Sequence, residues 1–524
     1  MCGILAFIFS SIEIIGFSIN KYSDLSAITG SSAVLLKSIL KLLAYYITFY
    51  TSGVLLFNFL ENTIGAGFHT HPKKESFTNN KKSFFLVWGF IFVLWIPYFL
   101  KYFPGIVTLD SMQQIYMSLG FTNMTNHHPV LHTLIIGLFM NIGKIFNNYT
   151  LGIAMYSVFQ MLCLSGAFSY CIYYMAKKNV PAKWRIAILI FFALYPVHAL
   201  YSITIWKDIP FSIAMLIFII NLIEMCTNKD FLKSNKNMVL LAISILLVIL
   251  FRNNGAVVII LTIPFMIIML KQYWKKLIVV SLICVTLYLA IEGPIFQAFN
   301  VKQVSVREAL SIPLQQFARV IRNESNILDE KDKENINEFF LSQDIGRVYM
   351  PHISDSVKAC FNDEAFKNNK LKFISTWVKV GLSYPKEYVE AFLCNSYGYW
   401  YPETSYWVIF RLNVTSQRIN IKQTPIINQD VLGKTVAATE SLIDKREIPV
   451  FSMMFSIGFT VWIIFTVIMF CIYKKNYKIL LVYVPIISLW LTCLASPVFA
   501  EFRYAYSLFT CLPLLLVIPF LRNE

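Results

Sequence analysis

The chain has 524 residues, 57% of them hydrophobic and only 14% charged, with a formal net charge of +16 and a mean hydropathy of +0.60. A water-soluble protein of this length needs more polar surface than that, so a soluble fold is excluded. The positive balance does not call for nucleic acid, because the Lys and Arg residues collect in short loops between apolar runs, as they do on the cytoplasmic side of membrane proteins.

The apolar runs are of a length, roughly 17–25 residues, that crosses a bilayer core. They lack the apolar–polar alternation of barrel strands. The expected fold is therefore an all-α polytopic membrane protein with about twelve transmembrane helices. In chain order these fall near 4–20, 35–60, 83–101, 151–175, 184–203, 209–226, 238–252, 255–271, 276–292, 449–473, 478–496 and 503–521. The first run, "CGILAFIFSSIEIIGFSI", has neither a basic start nor a small-residue cleavage site, and reads as a retained helix.

Five loops are rich in Lys and Arg: 71–82, 177–185, 228–237, 271–276 and 474–478. All five are expected in the cytoplasm, with both chain termini. The helices alternate consistently if "LHTLIIGLFMNIGKIF" (131–146) lies along the outer surface rather than crossing. Four organisational units follow: 1–82 with two N-terminal membrane helices and a basic loop, a membrane core over 83–292 with a first outer loop at 102–150, a mainly helical extracytoplasmic segment over 293–448, and C-terminal membrane helices over 449–524. Ten cysteines occur without a CxxC pair. Most lie in apolar runs as small core residues, while Cys360 and Cys394 share the polar segment and could pair if it is extracellular.

Ionisable groups gather on the expected outer face. Asp110 follows the helix-ending Pro104 and Gly105. It reads either as the N-cap of "SMQQIYMSLG" or as a general base or substrate-orienting carboxylate; a capped carboxylate can be both. His127, His128 and His132 in "NHHPVLHT" lack the carboxylate of an ordinary zinc signature. A phosphate contact, or a role in helix entry, suits them better than a metal, and no cofactor is called for. Lys207 and Asp208 in "WKD" are either an interfacial anchor with a local ion pair or functional groups at the hydrocarbon edge. Arg252 in "FRNNG" marks a backbone break between two short apolar runs, of the kind that lines a cavity. Arg503 opens the last helix in "EFRYAY". Each arginine either snorkels to the interface or forks onto a phosphate.

Taken together, the outer-loop acid, the "HHP" before a juxtamembrane helix, the second acid in "WKD" and the late "SP…FRYAY" resemble the GT-C class of membrane glycosyltransferases. The likeness is to bacterial members that use polyprenyl-phosphate sugars, including a branch with "RNNG" and "LQQFAR". It covers the helix order over about 83–292 and the end from about 449. It implies Asp110 and Asp208 as catalytic acids. Lys207, Arg252, Arg503 and His128 would hold the donor phosphate. His127, Gln114, Tyr399 and Trp400 would hold acceptor or sugar, the aromatic "YGYWYPE" stacking on sugar faces. The implied partners are a polyprenyl-phosphate sugar in the bilayer and a cell-envelope acceptor. The first loop carries "LDSMQQ", one acid where many relatives carry a pair, and a single carboxylate binds a divalent cation poorly. A transporter or lipid flippase and a non-catalytic envelope-assembly protein are the rival readings.

Overall fold

In this computed structural model the described residues are 1–65, 81–342, 344–404, 406–410, 414–416, 418–444 and 451–521. Most of the basic loop at 71–82 lies outside them. The longer helices, in chain order, are α1 (Cys2–Tyr22), α2 (Ser32–Phe59), α3 (Lys81–Lys101), α4 (Leu109–Ser118), α5 (Val130–Ile145), α6 (Tyr149–Lys177), α7 (Ala182–Leu194) and α8 (Pro196–Ile203). They continue with α9 (Asp208–Thr227), α10 (Asn235–Phe251), α11 (Asn253–Met269), α12 (Trp274–Ala290), α13 (Ser311–Glu324), α14 (Lys370–Ser383), α15 (Pro385–Ser396), α16 (Val431–Asp444), α17 (Ile457–Tyr473), α18 (Val484–Ala495) and α19 (Tyr506–Val517). Among the described residues, β-structure is confined to isolated bridges.

The expected spans fall on helices, but among the described residues length and composition qualify 8 helices as membrane-crossing, or 9 if the α7–α8 pair, bent by 50° at Pro196, is one span. The bend follows from chemistry: Pro196 has no N–H to continue α7, and its ring disfavours helical backbone at Tyr195, which is extended at ψ 111. α5, α10, α11 and α17 are apolar but shorter. α5 is the helix expected to lie along the surface. Exposed apolar side chains identify the lipid-facing elements. α2 shows Leu36, Leu40, Leu43, Ile47 and Leu55 to the outside, which in water would be a severe exposure. α9 lies at the centre, with Phe211, Met215, Phe218, Ile219 and Leu222 buried against α6, α10 and α19.

The long polar segment has two fates. Residues from α13 to α15 build a separate helical core around Leu314, Phe317, Phe339, Phe361 and Phe373. After it the chain runs back along the loop that follows α3, where the N–H groups of Val414, Thr424 and Ile426 each donate at 2.9 Å to the carbonyls of Val107, Phe103 and Leu100. α16 then packs on α3: Lys101 Nζ and the Tyr102 hydroxyl donate to Glu440 at 3.1 and 3.0 Å, and Val436 and Ile443 join the membrane core. Cys360 and Cys394 are both free thiols. Cys394 donates to Ser23 O at 3.1 Å and Cys360 to Ser356 O at 3.5 Å.

Candidate functional site

Two loops meet at the end of the bundle opposite the basic loops. Gly105 sits at φ +139, and a Cβ there would come within 2.1 Å of Ser157 Oγ, so only glycine lets the chain pass. Ile106 N–H donates to Ile203 O at 2.9 Å and Ile205 N–H to Ile106 O at 3.1 Å. Ser111 Oγ donates to Ile205 O at 2.6 Å, and Trp206 Nε1 to Thr108 Oγ1 at 2.9 Å. These bonds pin the first turn of α4 to the first turn of α9, and so place Asp110 beside Lys207 and Asp208. The N-cap of α4 is Thr108, in a reciprocal capping box with Ser111, and not Asp110. Asp110 stands free in the first turn, where the helix dipole favours its charge.

Three more elements supply cations and a further acid. Arg252 is the single extended residue (φ −158) between α10 and α11. The break is tight, since a Cβ on Gly255 would fall 2.0 Å from Val248 O. Arg252 Nη1 donates to Tyr504 O at 2.9 Å and lies 3.3 Å from Asp208 Oδ1. Arg503, on the turn before α19, donates from Nη1 to Asp110 Oδ2 at 2.6 Å and from Nε to Glu501 Oε1 at 2.8 Å. The Tyr504 ring lies between the two guanidiniums, 4.5 Å from that of Arg252 and 5.1 Å from that of Arg503. Cation–π contact of this kind holds two like charges close without a direct clash.

The charges are strongly coupled. Burial opposes ionisation of Asp110, but Arg503, Lys207 and His128 outweigh it and hold the carboxyl well below its usual range. Glu501 goes the other way: burial pushes it up to about 7 against the pull of Arg503. Burial, followed by Lys207, holds His128 down to about 3, so it is neutral. His128 Nε2 lies 2.9 Å from Gln113 Oε1, which can only accept. The proton is thus assigned to Nε2, leaving Nδ1 to accept from Lys207 Nζ at 3.4 Å. Burial lowers the Lys207 ammonium as well, opposed by Asp110 and Asp208. Both oxygens of Asp208 are buried and accept no hydrogen bond among the described residues; the ion pair with Arg252 is its support. A buried carboxylate short of donors is costly, and such groups concentrate at functional sites.

Of the residues singled out in the sequence, Asp110, His127, His128, Lys207, Asp208, Arg252 and Arg503 lie in this one cluster. Gln114 does not face it. Its amide donates to Thr133 Oγ1 at 2.9 Å and its Oε1 meets His132 Nδ1 at 3.1 Å, in a buried chain that continues from His132 to Tyr156 and Gln160. Tyr399 is fully buried, with its hydroxyl donating to Val498 O. Trp400 packs with Ile19, Tyr397 and Tyr401 near the C-terminal end of α1. Neither ring is placed to stack on a ligand in the cluster. Sequence reasoning passed over Gln113, Glu501 and Tyr504. The signal for Gln113 was present: it lies one turn from Asp110, off the face marked by Met112 and Ile115. Among the described residues no three His, Cys, Asp or Glu side chains are grouped to hold a metal ion. The neighbours of both aspartates are cations, an unsuitable donor set for a divalent metal.

Residues 120–524 match the protein family described as "Family of unknown function (DUF6020)". No curated protein and no solved structure matches the chain. The match begins just after Asp110 and takes in Lys207, Asp208, Arg252, Glu501 and Arg503. It spans well over half of the sequence, and the chain therefore belongs to this family of unknown function, DUF6020.

Proposed function

We propose that the protein is a multi-pass cell-membrane glycosyltransferase of GT-C type, with about twelve spans, which moves a sugar from a polyprenyl-phosphate donor to a cell-envelope acceptor. The cluster described above would face outward, with the basic loops and both termini in the cytoplasm. The observation that carries this reading is the setting of Asp110: its side chain is 31% exposed, yet it is gripped by Arg503, which is itself anchored on buried Glu501. A carboxylate that is both held and reachable is what proton transfer needs.

The acceptor hydroxyl attacks the anomeric carbon, forming the new C–O bond as the bond from that carbon to the phosphate oxygen breaks. The electron pair leaves with the polyprenyl phosphate. Lys207, Arg252 and Arg503 stabilise the charge that builds there, and Asp110 takes the hydroxyl proton. In the resting arrangement Arg503 makes Asp110 a weak base. A phosphate that draws on Arg503 loosens that grip and raises the basicity of Asp110 when donor is present. Sugar transfer by purified protein in detergent tests the reading: wild type turns over a polyprenyl-phosphate sugar and Asp110→Asn does not. A wild type that transfers no sugar from any such donor overturns it.

One observation favours a lipid flippase instead. An apolar cavity of about 630 Å³ lies away from the charged cluster. It is almost wholly apolar and lies toward the basic-loop end, between α1, α2, α7, α17 and α19, with Phe9, Leu56, Phe191 and Trp462 among its walls. A flippase moves lipid across vesicles and shows no turnover in detergent.

A further inference from the structure

α14 is apolar on two sides. Phe373, Thr376 and Val380 face the core of the outer helical unit. On another face Leu371, Ile374, Val378 and Leu382 stand exposed at helical spacing, Leu371 at 84% and Leu382 at 79%. α15 returns against α14, with the Tyr388 hydroxyl donating to Trp377 O at 2.9 Å and the Tyr388 ring against Gly381, and it adds exposed Val389. A contiguous apolar stripe of this kind on a soluble unit marks a surface that is covered in use.

Two observations identify what covers it. The first is where the hairpin is tethered. Leu25 N–H, in the turn by which the chain leaves α1 for α2, donates to Glu390 of α15 at 2.9 Å. Arg319 donates to Ser23 O at 3.1 Å while holding Glu387. Leu393 of α15 packs around the same cluster as Ile15 and Leu25. α15 thus stands on the end of α1, and Leu35 and Leu36 at the start of α2 are exposed apolar residues. The second is charge. From 370 to 386 the chain has Lys370, Lys372, Lys379 and Lys386 and no acid. Lys372 and Lys379 pair with Glu338 and Asp332. Lys370 and Lys386 are exposed at the two ends of the stripe.

We propose that the α14–α15 hairpin is an interfacial anchor: its apolar stripe dips into the surface of the bilayer that holds the helices, and Lys370 and Lys386 meet anionic headgroups. An amphipathic helix with flanking lysines binds in this way. The anchor fixes the outer helical unit at headgroup height beside the charged cluster, and it holds whether or not that cluster transfers sugar.

The test uses the full chain in lipid nanodiscs, with a photo-crosslinking benzoylphenylalanine in place of Leu371, Leu382 or, as control, Leu341, which is 73% exposed and off the stripe. Expected are phospholipid adducts at Leu371 and Leu382 at several times the yield at Leu341. The yield should be higher in phosphatidylglycerol than in phosphatidylcholine, and a Lys370→Gln, Lys386→Gln double variant should abolish that preference. Adducts to another polypeptide or to a second copy, or no lipid adduct above the control, overturn the anchor. A lipid yield indifferent to headgroup charge overturns the role of the lysines.

Discussion

Among the described residues one guanidinium stands between two carboxylates at two places, and the two sites differ in what is left over. In the helical unit of α13 to α15 Arg319 donates to Glu387 at 2.8 Å and also to Glu390, while its Nη1 reaches Ser23 O at 3.1 Å. The acids are completed by Asn323, which donates to Glu387 at 2.6 Å, and by Leu25 N–H on Glu390. Both acids are buried, and the set is closed. At the charged cluster Arg503 spans Asp110 and Glu501, but Asp110 is open to solvent and nearby Asp208 accepts no hydrogen bond among the described residues. A closed network rigidifies a fold; an open one has capacity for a ligand. Residue type alone does not separate the two cases. Completeness of hydrogen bonding does.

Arg319→Ala makes the largest expected difference. It strands Glu387 and Glu390 as buried acids without their cation, a loss of about 3–5 kcal/mol. The helical unit should detach from the α1–α2 turn, which thermal unfolding in detergent and protease sensitivity between residues 311 and 399 would register. If Arg319→Ala unfolds no earlier than Arg503→Ala, the closed network is not what secures this unit. Asp110→Asn should do the reverse. Sugar transfer falls on the order of 10²–10⁴-fold, the range for loss of an acid–base group, with a smaller fall in unfolding midpoint than Arg319→Ala because the ion pair it loses is partly exposed. A matching fall in stability would move Asp110 into the same class as Arg319.

How much of this was legible before the structure depends on the kind of signal. That the chain is a multi-pass helical membrane protein was legible because the bilayer imposes a length and an apolar composition on each span; the number was not, since among the described residues 8 or 9 helices meet that length and composition where about twelve were expected. The convergence of Asp110, Lys207, Asp208, Arg252 and Arg503 was legible at the level of which end of the bundle they share, since a loop next to a span can only be at its end. What each residue bonds was not. Gln113 and Gln114 are adjacent and chemically identical, yet one reaches His128 and the other is enclosed with His132. The choice is made by the pairing of distant loops around Ile106 and Ile205. "YGYWYPE" suggested a sugar platform because exposed aromatics stack on sugars, but its rings are packed inward, and burial is decided by tertiary neighbours that no local pattern reports.

Glu501 offers a sharper contrast with the closed network through pH. Burial pushes its carboxyl up to about 7 in the folded chain, from an ordinary value of 4.5. Between those values the folded chain keeps a proton that the unfolded chain has released, so the contribution of Glu501 to stability falls as pH rises through that window. Glu501→Gln removes the titrating group, and the fall in unfolding midpoint from about pH 4.5 to about pH 7 should flatten relative to wild type. Asp110, depressed by Arg503, works with the opposite sign: its contribution is present above its unfolded value and is lost only in strong acid. An unchanged slope in Glu501→Gln would mean that the proton resides elsewhere in the cluster.

The smallest effect expected is also the most specific. Thr108 accepts from Ser111 N–H as the cap of α4 and from Trp206 Nε1 across the two loops. Thr108→Ala loses the cap, about 1 kcal/mol, and leaves the indole of a fully enclosed Trp206 without its acceptor. Neither lost bond is made by Glu501 or Asp110, although the Trp206 ring lies 5.2 Å from the Arg503 guanidinium. The pH slope assigned to Glu501 should therefore persist in this variant. Turnover should nonetheless drop by more than the small stability change explains, on the order of tenfold, because Asp110 and Lys207 are then held in register by the backbone pairing at Ile106 and Ile205 and the Ser111 bond to Ile205 O without the Trp206 tie, and a displacement below 1 Å is enough to misalign a proton transfer. A variant with the expected loss of stability and full turnover would show that the two loops keep their register without this bond, and that the geometry of Asp110 is fixed by Arg503 alone.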